Sequence, residues 1–331
     1  MNKYYFRPNS SRCGRIIADS VIGLLIFSLL ASVVAAATPD SKNVSKSEMS
    51  FVYNGKNYSA LLYKPESNST SVAQPLVIVA SGVGDRLSRF IRATGFARLA
   101  GRHGFVVAYA QIDQHEDWYN WLNSSSGSVN QGAGFFRTII SGVSKEANIA
   151  AQNIYLTGFS AGGALVLGAM CDMANEVAAF GVVSASLPSI TQMQCPIKRA
   201  VPAIIFASRD DPVFPWNGGL ISFLLTEKTA FNVLSISDTV DLWRTNNRCN
   251  ARPLLEAFDN VDPSDGTTVT RLMYDFGCRN SSHVLLYAIT GGGHSWPGSI
   301  IKLRSFEGTI SQDIQASDAM WEFFSKYSLE Q

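Results

Sequence analysis

The chain has 331 residues, 46% hydrophobic and 16% charged, with a formal net charge of +1. That composition excludes a disordered or fibrous chain and supplies enough apolar side chains for a large core. The near-neutral balance gives no electrostatic reason to expect a nucleic acid or an anionic membrane as partner.

In chain order, Lys3, Arg7, Arg12 and Arg15 make a basic start, and an apolar run from Val21 to Ala37 follows. The run closes on Ala35-Ala36-Ala37 before Thr38-Pro39-Asp40. A basic segment, an apolar segment and a small-residue cleavage site describe a secretory signal, residues 1–37, cut after Ala37. An uncleaved anchor is the alternative, although the run is short against the ~20 residues of a span. No cysteine stands at the cut, which argues against a lipoprotein. The expected location is therefore secreted or periplasmic, with no stable membrane partner once the signal is removed.

Residues 38–50 are polar and read as a flexible leader. Residues 51–64 alternate around Asn54-Gly55, a hairpin signal. Beyond them, short apolar runs at 76–80, 105–109, 153–156, 181–184, 203–207 and 284–289 read as buried strands. Helical stretches at 86–102, 133–147, 161–175 and 312–327 alternate with them. Continuous apolar strands separated by helices predict an α/β fold, a mostly parallel sheet covered on both faces. No repeat or linker divides the chain, so residues 51–331 are expected to form a single domain.

Gly158-Phe159-Ser160-Ala161-Gly162 is a G-x-S-x-G motif. A strand precedes it and a helix of small residues follows, the setting of a nucleophile elbow in an α/β-hydrolase. Ser160 is the candidate nucleophile, and the Ala161 N–H at the helix N-terminus is a candidate oxyanion donor. A serine needs a base, and in this fold the order is Ser, acid, His. Of four histidines, His283 and His294 follow Ser160. His283 opens an apolar run and reads as a strand-end residue. His294 lies in the glycine-rich loop Gly291-Gly292-Gly293-His294-Ser295-Trp296-Pro297-Gly298, where the base belongs. After the strand at 203–207 come Asp210 and Asp211, and spacing does not choose between them as the acid. The second oxyanion donor should come from Ser81-Gly82-Val83-Gly84, with the Val83 N–H as candidate, although a plain glycine-rich turn reads equally well. Trp216 and Trp296 are candidate substrate-binding residues. Trp118 and Trp121 fit core or lid packing better.

Cys13 leaves with the signal, so Cys171, Cys195, Cys249 and Cys278 remain. Four cysteines allow three pairings. Cys171–Cys195 and Cys249–Cys278 are favoured because each closes a short loop, with buried free thiols as the alternative.

Together these residues resemble the secreted esterases of the poly(3-hydroxybutyrate) depolymerase type, a family that includes feruloyl and acetylxylan esterases. The resemblance runs from about Pro75 onward. It rests on Thr94-Gly95-Phe96 through Arg102-His103-Gly104-Phe105-Val106-Val107 and on Tyr155-Leu156-Thr157-Gly158-Phe159-Ser160-Ala161-Gly162-Gly163. It also rests on Asp211-Pro212-Val213-Phe214-Pro215-Trp216-Asn217-Gly218-Gly219 and on the His294 loop. The resemblance implies the α/β-hydrolase fold, Ser160 as nucleophile, Asp211 as acid, His294 as base and both cysteine pairings. Two places depart from the family pattern. Ser81-Gly82-Val83-Gly84 stands where the family has His-Gly-Cys-Gly, and Tyr109-Ala110-Gln111 where it has Tyr-Pro-acid. The implied activity is hydrolysis of a small or oligomeric ester, with no metal and no organic cofactor. The alternatives are another serine hydrolase, such as a peptidase or thioesterase, and a catalytically silent binding protein on the same fold.

Overall fold

The computed structural model describes residues 44–66, 72–111, 120–122, 128–192, 195–221, 231–303 and 308–329. The expected signal at 1–37, residues 38–43 of the leader, and Trp118 lie outside the described residues. Residues 44–50, expected to belong to a flexible leader, are instead part of a strand. Strands β1 (Val44–Tyr53) and β2 (Lys56–Pro65) form an antiparallel hairpin, with Tyr53 opposite Lys56. Asn54 (φ 49°) and Gly55 (φ 75°) both take left-handed backbone, as a two-residue turn between twisted strands requires. The polarity of 44–50 fits an edge strand with one fully buried side chain, Met49, among its first seven residues.

The chain then alternates strands and helices. β3 (Gln74–Ala80) is followed by α1 (Leu87–Thr94), α2 (Phe96–His103) and β4 (Val106–Ala110). The one helix expected over 86–102 is two, because Gly95 takes φ 67° and its N–H caps α1 on the Ile91 carbonyl. Next come α3 (Ser128–Glu146), β5 (Ile149–Phe159), α4 (Ala161–Met173), β6 (Ala179–Val183), α5 (Ser189–Gln192) and β7 (Ala203–Ser208). β8 (Gly219–Ile221) and β9 (Phe231–Val233) pair apart from the main sheet, and α6 (Ile236–Asn246) follows. β10 (Leu254–Ala257), β11 (Thr268–Tyr274), β12 (Val284–Thr290) and α7 (Ala316–Phe324) complete the order.

The main sheet has ten strands in the order β1-β2-β4-β3-β5-β6-β7-β12-β11-β10. Its centre, β4 through β12, is parallel, and an antiparallel pair borders each side. One core lies on the face covered by α3, α4 and α6, and a second on the face covered by α1, α2 and α7. Side chains of β7 alternate between them: Ala203, Ile205 and Ala207 enter the first, Ile204 and Phe206 the second. Apart from Asp172, α4 is apolar and almost wholly buried, as such a helix must be. Each fully buried aliphatic or aromatic side chain contributes about 1.5–3 kcal/mol. A partly exposed ion pair such as Arg137–Asp172 contributes on the order of 1 kcal/mol, so the two cores decide stability.

Disulfides join Cys171 to Cys195 and Cys249 to Cys278. The first ties the last turn of α4 to the segment after α5, and the second ties the end of α6 to the approach to β12. Among the described residues no helix is long and apolar enough to cross a membrane.

Candidate active site

β5 delivers the chain to Ser160 and α4 begins one residue later. Ser160 has φ 57° and ψ −127°, a backbone state that costs a non-glycine residue about 1–3 kcal/mol. Two features hold it there. The Ser160 N–H donates to the Val183 carbonyl at 3.0 Å. A Cβ on Gly158 would lie 2.4 Å from the carbonyl carbon of Gly162, so only glycine lets the turn close. The result lifts the Ser160 hydroxyl off the C-terminal edge of the parallel strands.

Two further loops leave that same edge. The loop after β12 carries His294, 2% exposed. Its Nε2 lies 2.9 Å from Ser160 Oγ. The loop after β7 carries Asp211, whose Oδ2 lies 2.9 Å and Oδ1 3.1 Å from His294 Nδ1. A carboxylate at Nδ1 holds the proton there and leaves the Nε2 lone pair to accept the serine proton. Asp211 is itself fixed, since its Oδ1 accepts the backbone N–H groups of Val213 and Phe214, each at 2.8 Å. The neighbouring Asp210 turns away: its Oδ2 accepts the Gly291 N–H at 2.7 Å and anchors the base of the histidine loop. Both candidate acids thus act on one loop, and only Asp211 reaches the imidazole.

Two phenyl rings adjoin the imidazole: Phe159 at 4.9 Å between centroids, inclined by 38°, and Phe214 at 5.8 Å, inclined by 5°. Both phenyl rings are nearly fully buried. Water is therefore kept from the Ser160–His294–Asp211 line, where charge–dipole interactions gain strength from the low local dielectric.

The candidate oxyanion groups border Ser160. Ala161 is the first residue of α4, where N–H groups have no intrahelical acceptor and the helix dipole is positive. The loop 81–85 packs against Ser160 so closely that a Cβ on Gly82 would sit 3.1 Å from the serine Cβ. Asp85 is buried, and its Oδ2 accepts the Gly82 N–H at 2.9 Å. The Gln111 amide donates to the Asp85 carbonyl at 3.3 Å, and Ser81 N–H to the Ala110 carbonyl at 3.2 Å. Ala110-Gln111, one of the departures noted above, thus braces the loop that carries Val83.

The tryptophans divide. Trp296, expected to bind substrate, is 2% exposed and packs in the second core against Phe90, Phe96 and Phe159. Its indole N–H donates to Ser317 Oγ at 3.0 Å, and Ser317 in turn donates to the Thr94 carbonyl. It supports the histidine loop from behind and does not face a substrate. Two residues beyond His294 the chain has turned inward, which proximity in sequence does not reveal. Trp121 is buried among Tyr53, Tyr58 and Phe135. Trp216 is half-buried beside the acid loop, with the Arg209 guanidinium 4.3 Å above its ring. His283 stands before β12, within 3.1 Å of the Tyr327 hydroxyl and away from the triad. Sequence reasoning missed Asp85, Phe159, Phe214 and Arg209. Only Asp85 had a local signal, a turn-forming acid three residues after Gly82. Among the described residues no cluster of three or more His, Cys, Asp or Glu could hold a metal.

Residues 58–216 match the family model described as esterase, PHB depolymerase. Over these residues the chain is similar to the PHB depolymerase-type esterases. Feruloyl esterase B of Piromyces equi is 24% identical over 233 residues, 70% of this chain and 41% of that protein. Feruloyl esterase D of Neurospora crassa is 26% identical over 211 residues, 63% of this chain and 58% of that protein. The chain spans about half the length of each of these two relatives. The solved acetyl xylan esterase from Aspergillus awamori superposes with a TM-score of 0.55 at 13% identity. That likeness covers 84% of this chain and 99% of the other, and it establishes the α/β-hydrolase fold.

Proposed function

We propose that the protein is a serine esterase that cleaves carboxylic esters in two steps. The single observation that carries this reading is the hydrogen-bond line from the Ser160 hydroxyl through His294 to Asp211, 2.9 Å at each contact. Ser160 Oγ attacks the ester carbonyl carbon as its proton passes to His294 Nε2. The oxyanion is met by the Ala161 N–H and the Val83 N–H, and Asp211 stabilises the imidazolium without taking its proton. Collapse of the tetrahedral intermediate breaks the bond to the alcohol oxygen, which leaves with the proton from His294. Water, deprotonated by His294, then attacks the acyl-enzyme, and the acid departs.

The kinship with feruloyl esterases supports feruloyl, acetyl or hydroxybutyrate-type esters as the substrate class. Residues 51–331, together with the β1 residues before them, make the catalytic domain. Residues 1–37 are the segment removed on export to an oxidising compartment, a reading that the two disulfides support. The test is hydrolysis of a short p-nitrophenyl ester, with labelling of Ser160 by a fluorophosphonate. Ser160→Ala should fold normally and lose both. Asp211→Asn keeps an acceptor for the Val213 and Phe214 N–H groups but offers an amide to Nδ1, and should cost about 10⁴-fold in kcat. Unchanged turnover in Ser160→Ala, or cleavage of amides or thioesters alone, would reject the esterase reading.

A further inference from the structure

Arg209 follows the last residue of β7 and lies two residues before Asp211. Its N–H donates to the Ile289 carbonyl at 2.8 Å, which fixes its backbone to the strand that leads to His294. The residue is therefore at the catalytic edge of the sheet, on the rim and not in the core. Its side chain lies over the indole of Trp216, 4.3 Å from the ring centroid. Trp216 is pinned in turn, because its carbonyl accepts the Ile236 N–H at 2.9 Å and its ring packs on the first core. The guanidinium is exposed, and none of the described residues gives it a hydrogen bond or a carboxylate. The nearest acid in sequence, Asp210, is committed through Oδ2 to Gly291.

A positive group usually goes where it is hydrated and mobile. Here a fixed aromatic face lies 4.3 Å from the guanidinium, and among the described residues its N–H groups meet no acceptor. Five donors in a rigid fork match a carboxylate in two-point geometry. Resting on the esterase reading above, we propose that Arg209 and Trp216 form a subsite for a carboxylate borne by the ester substrate. The pair thus directs the enzyme to acid-bearing esters. A hydroxy-acid oligomer carries such a group on the alcohol side of its last ester bond, and a dicarboxylic half-ester carries it on the acyl side.

The test compares matched esters. On the acyl side these are p-nitrophenyl hexanoate and the mono-p-nitrophenyl ester of adipic acid. On the alcohol side they are para-carbamoylphenyl and para-carboxyphenyl hexanoate. In one arm, Arg209→Gln should lower the ratio of kcat/KM for the acid-bearing ester to that for its neutral partner about tenfold, through KM. That is the worth of one charge-assisted hydrogen bond. Raising ionic strength should erode the same ratio in the parent protein and not in the variant. Arg209→Glu should reverse it and favour the p-nitrophenyl ester of aminohexanoic acid. A ratio unmoved by both substitutions in both arms, with the neutral esters still turned over, overturns the subsite alone. Absence of turnover on every ester, without fluorophosphonate labelling of Ser160, overturns the esterase reading and the subsite with it.

Discussion

The Phe214 ring lies parallel to the His294 imidazole, 5.8 Å between centroids and 5° between planes. Phe214 thus acts twice on the triad, since its backbone N–H also donates to Asp211. The ring face is electron-rich and favours the imidazolium that forms as Ser160 gives up its proton, by about 1 kcal/mol. Phe214→Leu keeps the bulk and the N–H but removes the face. Its kcat should fall about fivefold. Phe214→Tyr should retain the parent kcat. Steady-state kinetics on the three proteins check this, and an unchanged kcat in Phe214→Leu would exclude the electrostatic role.

Gly82 separates the Asp85 carboxylate from Ser160. A Cβ there would meet Asp85 Oδ2 at 2.8 Å and the serine Cβ at 3.1 Å. Gly82→Ala must push the loop away from the elbow and carry the Val83 N–H with it. The expected cost is about 10²-fold in kcat, comparable to losing one oxyanion donor, with KM and fluorophosphonate labelling much less affected. Unaltered kcat would show that the loop does not contribute to the oxyanion site.

Cys249 and Cys278 close a loop of sequence separation 29. A bridge of that span stabilises by roughly 3 kcal/mol on the chain-entropy account. The double variant Cys249→Ser, Cys278→Ser should unfold earlier on heating, by about 2–4 °C for each kcal/mol in a domain of this size. Calorimetry of the oxidised parent and the variant gives the difference. An equal Tm would mean that the bond contributes nothing in solution.

His283 predicts a pH effect on stability apart from the triad. Burial holds its imidazole below the ordinary value, Lys326 acts the same way, and Asp275 opposes both. Burial also pushes the Tyr327 hydroxyl up to about 12, so it stays protonated as the donor to the neutral ring. The depressed histidine binds its proton less well folded than unfolded. Its contribution is therefore present above the unfolded value, ~6.5, and is lost as pH falls through the folded one. His283→Gln should flatten the decline in denaturant midpoint between about pH 7 and pH 5 relative to the parent. Parallel declines would contradict the assignment.

The parallel strands are legible in sequence because a strand covered on both faces is a continuous apolar run. β1 is not, since an edge strand keeps polar side chains, and neither is the hairpin of β10 and β11, whose first strand is exposed throughout. The helix boundary at Gly95 hides in the same way, because a glycine inside an apolar periodicity does not announce a left-handed turn. At the site, residue type and order pointed to Ser160 and His294. Spacing left Asp210 and Asp211 level, and the family resemblance favoured Asp211. The geometric reason is that adjacent carboxylates point in opposite directions, one to a backbone amide and one to the ring. The burial of Trp296 is not legible, because a position two residues from His294 does not reveal that the chain turns inward there. The phenyl rings around His294 come from the end of β5 and from the loop after β7, a juxtaposition that only the closed sheet creates.

Ser160 and His294 are 134 residues apart along the chain, and Asp211 and His294 are 83 apart. No local segment can assemble this line, so during refolding catalytic competence must await the longest-range closures, which are slow to form. Regain of hydrolysis after dilution from denaturant should therefore lag the recovery of helical signal. A turnover assay then doubles as a clock for the final registration of β12 against β7.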